Sequence, residues 1–409
     1  MHMKLVTLSW KNIWRNPLRS GIVTAAVAFG LMSGVFSVAF MNGMGIQSVS
    51  AVISRQTAHI QLHDSAFVTE PLPGRLLQPA DSVIAMAKSF TAVKAVASRI
   101  SVTAMATSAK TAVGVTVKGV IPEDERRISK LPDDIVEGTY FGVTRKNCAV
   151  IGRKLADKLG IRLNSKIVLT TQDINGELTG GAFKVVGIFE TINSMFDEST
   201  VFVKKKDVAG LIGVPAEDVH EVALLCTRKQ VVDSVAGVLQ SAFPAVSVQT
   251  WNEIVPEIGM MESLMNQMSV VFVLVILIAL SFGIVNTMLM AVLERRREFG
   301  MLMAVGMSSG RIFSMVLIET VMLSLSGGVI GMATGGLVVL MTNKTGVNLG
   351  MLGTGLKAIG YDPMVYPFIG TFLFSGISGM VVATAILAAL YPALKAVALN
   401  PADAVRSDT

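Results

Sequence analysis

The chain has 409 residues, 52% hydrophobic and 16% charged, with a mean hydropathy of +0.60 and a formal net charge of +6. Soluble domains carry about 25% charged residues, so the composition excludes a wholly soluble enzyme. Abundant apolar residues, two cysteines and the lack of a Gly-X-Y period also exclude a disordered, disulfide-rich or collagen-like chain. We therefore expect a membrane protein with one polar domain, whose basic residues set its orientation and bind no nucleic acid.

Residues 1–20 have basic and apolar side chains on opposite faces when they are drawn as a helix. The bases are Lys4, Lys11, Arg15 and Arg19. They fall within an arc of about 80° at 100° per residue, opposite Trp10 and Trp14. This pattern predicts an amphipathic helix in the cytoplasmic interface of the membrane, in contact with anionic lipids. A disordered basic tail is the alternative.

Four apolar runs are long enough to cross a membrane, because a spanning helix needs about 20 apolar residues. The predicted transmembrane helices cover residues 21–45, 263–293, 312–343 and 363–394. The first run is longer than the apolar part of a signal peptide, about 7–15 residues, and no small-x-small cleavage site follows it. We therefore expect it to be retained as a helix.

The distribution of bases predicts the orientation of these helices. Bases precede the first helix and four arginines lie between the second and the third, whereas only Lys344 and Lys357 lie between the third and the fourth. The positive-inside rule therefore predicts that both termini are cytoplasmic. The predicted cytoplasmic segments are residues 1–20, 294–310 and 395–409, and the predicted external segments are residues 46–262 and 344–362.

Small residues recur at four-residue spacing on three of the predicted helices. Such stripes let two backbones approach closely and predict helix packing, with a substrate groove as the alternative. The stripes are Ala26, Gly30 and Gly34; Gly327, Gly331 and Gly335; and Ser375, Gly379 and Ala383. So many glycines in four helices indicate a dimeric or larger assembly, with either itself or a homologue as partner.

The external segment 46–262 alternates strand-like and helix-like patterns, which predicts an α+β domain. The predicted strands are Ala112–Val120, Ile167–Thr171, Phe183–Phe189 and Thr200–Val203, and the predicted helices are Asp81–Ala97, Arg153–Leu159, Lys205–Ile212 and Arg228–Phe243. The run Asp173–Gly176 predicts a hairpin turn, because Asn-Gly accepts the positive φ of a tight turn.

Residue types that carry chemistry are scattered in this segment. His59 and His63 lie four apart, but the sequence HIQLH is typical of a strand, and no zinc-like cluster follows, so we expect no metal site. Cys148 and Cys226 form either a disulfide or two buried free thiols. With no nucleophile elbow present, we expect a non-catalytic chain.

The sequence contains no Walker A loop, so either a separate ATPase drives this protein or none does. Residues 294–310 favour a separate ATPase, because a basic turn followed by a short apolar helix can dock in a groove on a motor. Lipid-facing charge is the alternative interpretation. Glu319, near the start of the third predicted helix, is expected to be interfacial or paired rather than a proton carrier.

These segments resemble a known family along most of the chain. Residues 286–306, which contain ERRREFG, resemble the FtsX-like permease signature of type VII (MacB-like) ABC transporters. Further similar segments are Trp10–Pro17, Tyr391–Ala396 and Asn400–Arg406 at the two ends, and Glu137–Phe141, Ala149–Gly152 and Phe183–Phe189 in the external domain.

The resemblance implies a four-helix permease subunit in the bacterial inner membrane, with a periplasmic domain of porter and sabre parts. It would work by mechanotransmission, driven by a cytoplasmic ABC ATPase dimer that holds ATP and Mg²⁺, while this chain itself binds no cofactor. A second permease subunit completes the assembly. The family's coupling helix maps onto Arg295, Arg296, Arg297, Glu298, Met301 and Ala304.

Within the family, Thr57–His63 and the lack of a fused ATPase are most similar to the lipoprotein-releasing (Lol-type) permeases. This resemblance implies extraction of triacylated lipoproteins and their transfer to a periplasmic carrier. Soft, flexible side chains near the outer ends of the first two helices suit acyl chains, although gap-filling is the alternative role. These are Met41, Met44, Met261, Leu264, Met265 and Met268.

Two other functions stay open. One is an efflux or peptide-resistance permease with a separate ATPase, and the other is an FtsX-like regulator of a periplasmic hydrolase. Some Lol-type permeases carry a carrier-binding hook at the position of the hairpin 173–181, but this hairpin is short and has no evident hook sequence.

Overall fold

The computed structural model describes residue 15 and residues 17–141, 146–358 and 361–398. The amphipathic helix predicted for residues 1–20 lies mostly outside the described residues. The chain forms two compact units. The first, the helical unit, comprises residues 1–45, 263–348 and 364–409, and the second, the α/β unit, comprises residues 46–262 and 349–363.

The described helices and strands follow one another along both units. The helices are α1 (Pro17–Val52), α2 (Ser65–Thr69), α3 (Ala80–Ser89), α4 (Pro122–Ile128), α5 (Arg153–Leu159), α6 (Ser194–Ser199), α7 (Lys205–Ile212), α8 (Val232–Ala242), α9 (Trp251–Ile254), α10 (Pro256–Glu294), α11 (Arg296–Ala304), α12 (Ser309–Thr345), α13 (Gly353–Ala358) and α14 (Thr371–Val397). The strands are β1 (Ile60–Asp64), β2 (Val93–Thr107), β3 (Ala112–Val120), β4 (Ile135–Gly138), β5 (Cys148–Gly152), β6 (Lys166–Gln172), β7 (Leu178–Phe189), β8 (Thr200–Lys204), β9 (Glu221–Cys226), β10 (Val246–Thr250), β11 (Val347–Asn348) and β12 (Met364–Val365).

Within the described residues, four helices are long and apolar enough to cross a membrane, namely α1, α10, α12 and α14. The predicted start of the last one at residue 363 is wrong, because residues 363–370 hold β12 and the helix begins at Thr371. Pro363 and Pro367 explain the difference, since proline lacks an N–H and disfavours helical backbone at the residue before it.

Helix α12 packs against α1 through three glycines. A Cβ at Gly327 would meet the Thr24 carbonyl oxygen at 2.8 Å, and one at Gly331 would meet that of Ala28 at 2.6 Å. At Gly335 it would meet Val35 Cβ at 3.1 Å. Only glycine allows backbones to approach so closely.

The small residues of α14 do not pack in this way. Ser375, Gly379 and Ala383 are exposed, so they pack against no other helix within the described residues, and a role in contacts with another subunit stays a prediction. The buried face of α14 carries Ile377 and Val381 instead. Because α12 supplies the small residues at its contact with α14, α14 can supply the large ones.

The α/β unit is built on one sheet of ten strands, which confirms the predicted α+β class. The strand order is β10-β1-β9-β2-β3-β8-β5-β7-β4, and β6 pairs with both β2 and β7. β3 pairs with β8, and β5 with β7, in parallel, while the other pairs are antiparallel. The mixed pairing requires helical connections as well as hairpins.

Two hydrophobic cores lie against this sheet. In the first, Leu155 of α5 and Val208 of α7 pack on Phe183 and its neighbours in β2, β3 and β5–β8. In the second, Val83 of α3 and Leu239 of α8 pack on β1 and β9. Each helix presents one apolar stripe to the sheet, as its periodicity requires.

Three of the elements predicted for the external segment have the observed bounds, and the other five differ at one or both ends. β3, α5 and α7 coincide with their predictions, but the helix predicted over Asp81–Ala97 ends at Ser89. Residues 93–97 instead begin the long strand β2, which pairs with three other strands. Pairing with strands distant in sequence outweighs the local helical pattern.

The hairpin between β6 and β7 is closed by its own hydrogen bonds. Asp173 Oδ1 accepts from the backbone N–H groups of Asn175 and Glu177, at 2.8 and 2.9 Å. Gly176 has a φ of +83°, which a side chain would strain, and a Cβ there would meet nothing within 4 Å. The Ile174 N–H also donates to the Ile212 carbonyl at the end of α7, at 3.1 Å, so the first half of the turn rests on α7 while Gly176 faces open space.

A charged cluster is buried in the α/β unit. The Arg99 guanidinium donates to both carboxylate oxygens of Glu125, at 2.8 and 2.7 Å, and to Glu221 at 2.6 Å. All three side chains are at most 3% exposed. Burial alone would raise the pKa of Glu221, but Lys118 and Arg99 lower it to about 2. Glu221 is therefore charged at neutral pH.

Candidate functional site

The short helix α11 lies between two of the long helices. It follows Arg295, carries Glu298 in its first turn, where the helix dipole favours an acid, and is followed by Gly306 at a φ of +96°. Its buried side is formed by Phe299 and Gly300. This helix contains five of the six residues that the sequence assigns to motor coupling.

Arg295 ties α11 to α12. Its guanidinium donates to both carboxylate oxygens of Glu319, at 3.1 and 3.0 Å, and to Glu298 Oε2 at 3.0 Å. The guanidinium carbon also lies 5.1 Å from the centre of the Phe299 ring. Glu319 is thus paired, as the sequence predicts, although the sequence did not identify its partner.

Glu298 joins a second arginine to this cluster. Its Oε1 accepts a hydrogen bond from Arg15, which is 283 positions away in the chain. Burial favours its protonated form, but the bonds from Arg15 and Arg295 lower the pKa of Glu298. Burial lowers the pKa of Arg295, but its carboxylate partners Glu319 and Glu298 outweigh burial and raise the pKa above its usual value. Arg295 and Glu298 are therefore both charged at neutral pH.

An apolar surface lies beside these charges. Met301 and Val305 are 55% and 89% exposed, and Ala304 is exposed between them. A cavity of about 420 Å³ is lined both by residues of this surface and by residues of the ion pairs. It is lined by Arg15, Arg295, Glu298, Met301, Leu302, Val305 and Met315. Arg297 is exposed and Arg296 is half-buried. The arrangement can receive a protruding segment of another protein.

The residues predicted to bind acyl chains lie at the outer parts of α1 and α10. Leu264 and Met268 are 55% and 52% exposed, whereas Met41 and Met44 are half-buried. A Cβ at Gly45 would lie 3.7 Å from Met265 Sδ, so the two helices are neighbours here. Met261 is half-buried and belongs to the α/β unit. The acyl-chain role of these residues stays a prediction.

The glycines predicted for helix packing on α1 face α10. A Cβ at Gly30 would lie 2.6 Å from Leu280 Cδ2, and one at Gly34 would lie 3.3 Å from Ile276 Cδ1. α1 therefore contacts α10 through these two glycines and receives the glycines of α12 on another face.

The end of α1 is bonded firmly within the α/β unit. The helix continues into a π-helical turn at Ile53–Thr57, where the Ser54 carbonyl accepts from the N–H of Lys130 at 2.8 Å. Arg55 Nη2 donates to Asp134 Oδ1 at 2.9 Å, and its Nε donates to the other oxygen. Lys118 Nζ donates to the Gln56 carbonyl at 3.2 Å. Three consecutive residues thus join the helix end to the unit.

The histidines and cysteines have structural partners. His59 Nδ1 accepts from the Cys226 N–H at 3.1 Å, and His63 bonds to Gln61 and to a backbone carbonyl. Cys148 and Cys226 are buried and are not joined in a disulfide, and burial raises the pKa of Cys226 to about 11. In the described part of the chain, no group of three or more His, Cys, Asp or Glu residues could hold a metal ion.

Four apolar helices, a mixed α/β unit and a short ion-paired helix between two spans define a membrane permease with an external domain. Comparison with known families agrees with this class. The model of the MacB-like periplasmic core domain matches residues 20–247, and that of the FtsX-like permease C-terminal matches residues 270–401. The chain belongs to this family of ABC permeases, which confirms the resemblance found in the sequence.

Individual relatives differ in how much of the chain they match. The lipoprotein-releasing system transmembrane protein LolC of Neisseria meningitidis is 24% identical over 72% of this chain and 73% of its own length. The macrolide export ATP-binding/permease protein MacB of Chlorobaculum tepidum is 36% identical, but over 30% of this chain and 16% of its own length. The crystal structure of the periplasmic region of MacB from Actinobacillus actinomycetemcomitans has a TM-score of 0.34 and 10% identity, covering 52% of this chain and 98% of that one.

Proposed function

We propose that this chain is a permease subunit of an ATP-driven lipoprotein-releasing ABC transporter. The observation that carries the proposal is the similarity to LolC, which runs through both units and covers nearly three quarters of each protein. In this proposal the chain extracts triacylated lipoproteins from the inner membrane and transfers them to a periplasmic carrier. It performs no catalysis itself.

The proposed partners follow from the same assignment. A cytoplasmic ABC ATPase dimer binds ATP and Mg²⁺, and a second permease, either a homologue or another copy, completes the membrane part. Both termini and α11 face the cytoplasm, and the α/β unit is periplasmic. The bases near α11 support this orientation through the positive-inside rule.

The contacts within each unit support a mechanical route. The exposed Met301 and Val305 dock on the ATPase, and the ion pair of Arg295 with Glu319 transfers its movement from α11 to α12. α12 lies glycine to backbone against α1, and a contact without intervening side chains transmits displacement with little slack. The three residues that end α1 then move with the α/β unit.

The cargo would enter beside the outer parts of α1 and α10. The exposed Leu264 and Met268 offer an apolar, adaptable surface for acyl chains, because thioether side chains are flexible and polarisable. Gly45, opposite Met265, leaves room for the two helices to stay close.

Purification from native membranes in mild detergent, followed by mass spectrometry of everything bound, tests the proposal. We expect an ABC ATPase together with triacylated lipoproteins, and any second permease in the sample identifies the pairing. An ATPase accompanied by an outer-membrane channel and an adaptor, without lipoproteins, would instead support efflux, which the 36% identity to MacB favours. Absence of any ATPase would contradict the mechanical route.

A coupling assay tests the role of α11. Replacing Arg296 with Ala and Glu298 with Gln should leave the complex assembled but abolish stimulation of its ATPase by cargo. The matched control is Arg311→Gln, which removes an exposed base at the start of α12 outside the charged cavity. Coupled ATPase activity in the double variant would show that α11 is not the coupling helix.

A further inference from the structure

A second cavity, of about 460 Å³, lies within the α/β unit, at the end of α1. Its size falls in the range of about 300–1,000 Å³ that is typical of small-ligand sites. It is lined by Ile46, Val49, Ser50, Ile53, Ser54, His59, Lys94, Arg126, Arg127, Ile128, Ser129, Lys130, Asp133, Leu225, Lys229 and Glu262. The coupling and cargo roles proposed above do not use this cavity.

Basic side chains outnumber acidic side chains among the residues that line the cavity. It has five bases and two acids, and one acid, Glu262, is already bonded to Lys229 at 2.9 Å. In the described residues, Lys94, Arg127 and Lys130 form no ion pair. The dipole of α4 favours an arginine in its last turn, but Lys94 and Lys130 lie outside that helix. Like charges gathered around one cavity repel each other unless an anion neutralises them.

His59 adds a hydrogen-bond donor to the basic wall. Its Nδ1 accepts from the Cys226 N–H, so the proton of the neutral ring is on Nε2. Burial, followed by the charge of Lys229, lowers the pKa of His59, which keeps the ring neutral at pH 7. A neutral imidazole N–H can donate to an anionic oxygen.

The cavity also has an apolar lining, and much of it comes from a membrane-length helix. Ile46, Val49 and Ile53 line the cavity from the end of the continuous segment Ser20–Thr57. Ile46 is 44% exposed. A free inorganic anion gains no binding energy from an apolar lining, whereas an acyl chain or a glycerol backbone attached to the anion would cover this lining and remove it from water.

We propose that this cavity binds the phosphate group of an anionic glycerophospholipid, with the phosphate among Lys94, Arg127, Lys130 and His59 and the apolar part along α1. The site is separate from the cargo surface on α1 and α10, and it does not depend on the identity of the cargo. Lipid bound there would tie the α/β unit to the charge of the membrane.

Trp251 is a built-in reporter for this site. The ring centre lies 4.6 Å from Lys229 Nζ, and Lys229 lines the cavity. The full-length chain with Trp10→Phe and Trp14→Phe keeps Trp251 as its sole tryptophan. In maltoside micelles, we expect its fluorescence to change on titration with short-chain phosphatidylglycerol. The affinity obtained from this titration should be at least tenfold higher than that for short-chain phosphatidylcholine or inorganic phosphate.

Two charge variants with equal net charge isolate the cavity. K94E/R127E/K130E should weaken binding of the phosphatidylglycerol by about tenfold or more, because each base near an anionic lipid contributes measurably to binding. K154E/R162E/K166E reverses three exposed bases outside the cavity and should change it less than about twofold. All six side chains are exposed, so both variants should fold, as thermal unfolding will check.

An apolar variant separates lipid from free phosphate. Ile46→Gln should weaken binding of short-chain phosphatidylglycerol several-fold while leaving the weak binding of inorganic phosphate unchanged. Equal affinity for inorganic phosphate and for the lipid would overturn the lipid source. Equal losses in the two charge variants, or a response to an acidic peptide but not to the lipid, would overturn the site itself.

Discussion

Each unit contains one arginine held between two glutamates, and the two clusters differ in burial. Arg99, Glu125 and Glu221 are at most 3% exposed in the α/β unit. In the helical unit Arg295 is 18% exposed and Glu298 30%. The same chemistry therefore serves two purposes. Buried ions cannot exchange partners for water, so the first cluster fixes a fold, whereas the second can rearrange at low cost.

The largest effect is expected where an ion is left without its partner. Arg99→Met should lower the free energy of unfolding by about 3–5 kcal/mol, because Glu125 and Glu221 stay buried without the guanidinium that bonds to both of them. Urea unfolding of the full-length protein in micelles, followed by Trp251 fluorescence, measures this change. R99M/E125L/E221L is the matched control and should recover most of the loss. A mild effect of Arg99→Met alone would contradict the fixed role of the cluster.

Acid should reveal the same cluster. The pKa of Glu221 is lowered from 4.5 to about 2, so its carboxylate stabilises the fold above pH 4.5, and this contribution is lost as the pH falls through 2. The loss amounts to about 3 kcal/mol. The unfolding free energy of the wild type should therefore fall relative to that of R99M/E125L/E221L between pH 5 and pH 2. A constant difference would argue against this assignment.

In the helical unit, a substitution at a close packing contact should lower the stability more than a substitution of a charged residue. Gly331→Ala would bring a Cβ to 2.6 Å from the Ala28 carbonyl oxygen and should cost about 1–3 kcal/mol. Gly379→Ala on α14 is the control, since its Cβ meets nothing within 4 Å, and it should be neutral or slightly stabilising. Thermal unfolding in detergent measures both. Equal effects would mean that the contact of α12 with α1 is loose.

The smallest effect on stability is expected at the half-buried cluster of the helical unit. Glu298→Gln should change the free energy of unfolding by less than about 1 kcal/mol, because Arg15 is open to water and Arg295 keeps its bonds to Glu319. Thermal unfolding provides the measurement, and Arg99→Met in the same assay is the reference. A loss as large as that of Arg99→Met would erase the distinction between the two clusters.

The sequence predicted those parts of the fold whose signals are local. α7 begins and ends where its apolar spacing and Gly213, at a φ of +80°, require. β3 likewise has the predicted bounds. By contrast the second half of the helix predicted over Asp81–Ala97 is strand, because β2 pairs with β9 more than a hundred residues later. The local pattern of apolar residues does not indicate that β2 will pair with a strand so distant in the sequence.

The candidate sites show the same limit. The motif ERRREFG marked α11, but the partners of its charges, Arg15 and Glu319, are set by packing and have no sequence signal. The basic cavity was missed altogether. Its walls come from α1, Lys94, the α4 region and the residues around Lys229, and none of these segments is distinctive alone. A pattern can mark a segment, while a site assembled from distant segments requires the fold.

The hairpin between β6 and β7 affects how this protein can tolerate insertions during evolution. Its turn is closed by Asp173 and bonded to α7 through Ile174, but at Gly176 a side chain would meet nothing within 4 Å. The entropic cost of a longer loop rises only slowly with its length. An insertion after Asn175 would therefore leave the sheet register intact, and a new binding segment could be acquired there, or lost, in a single genetic event.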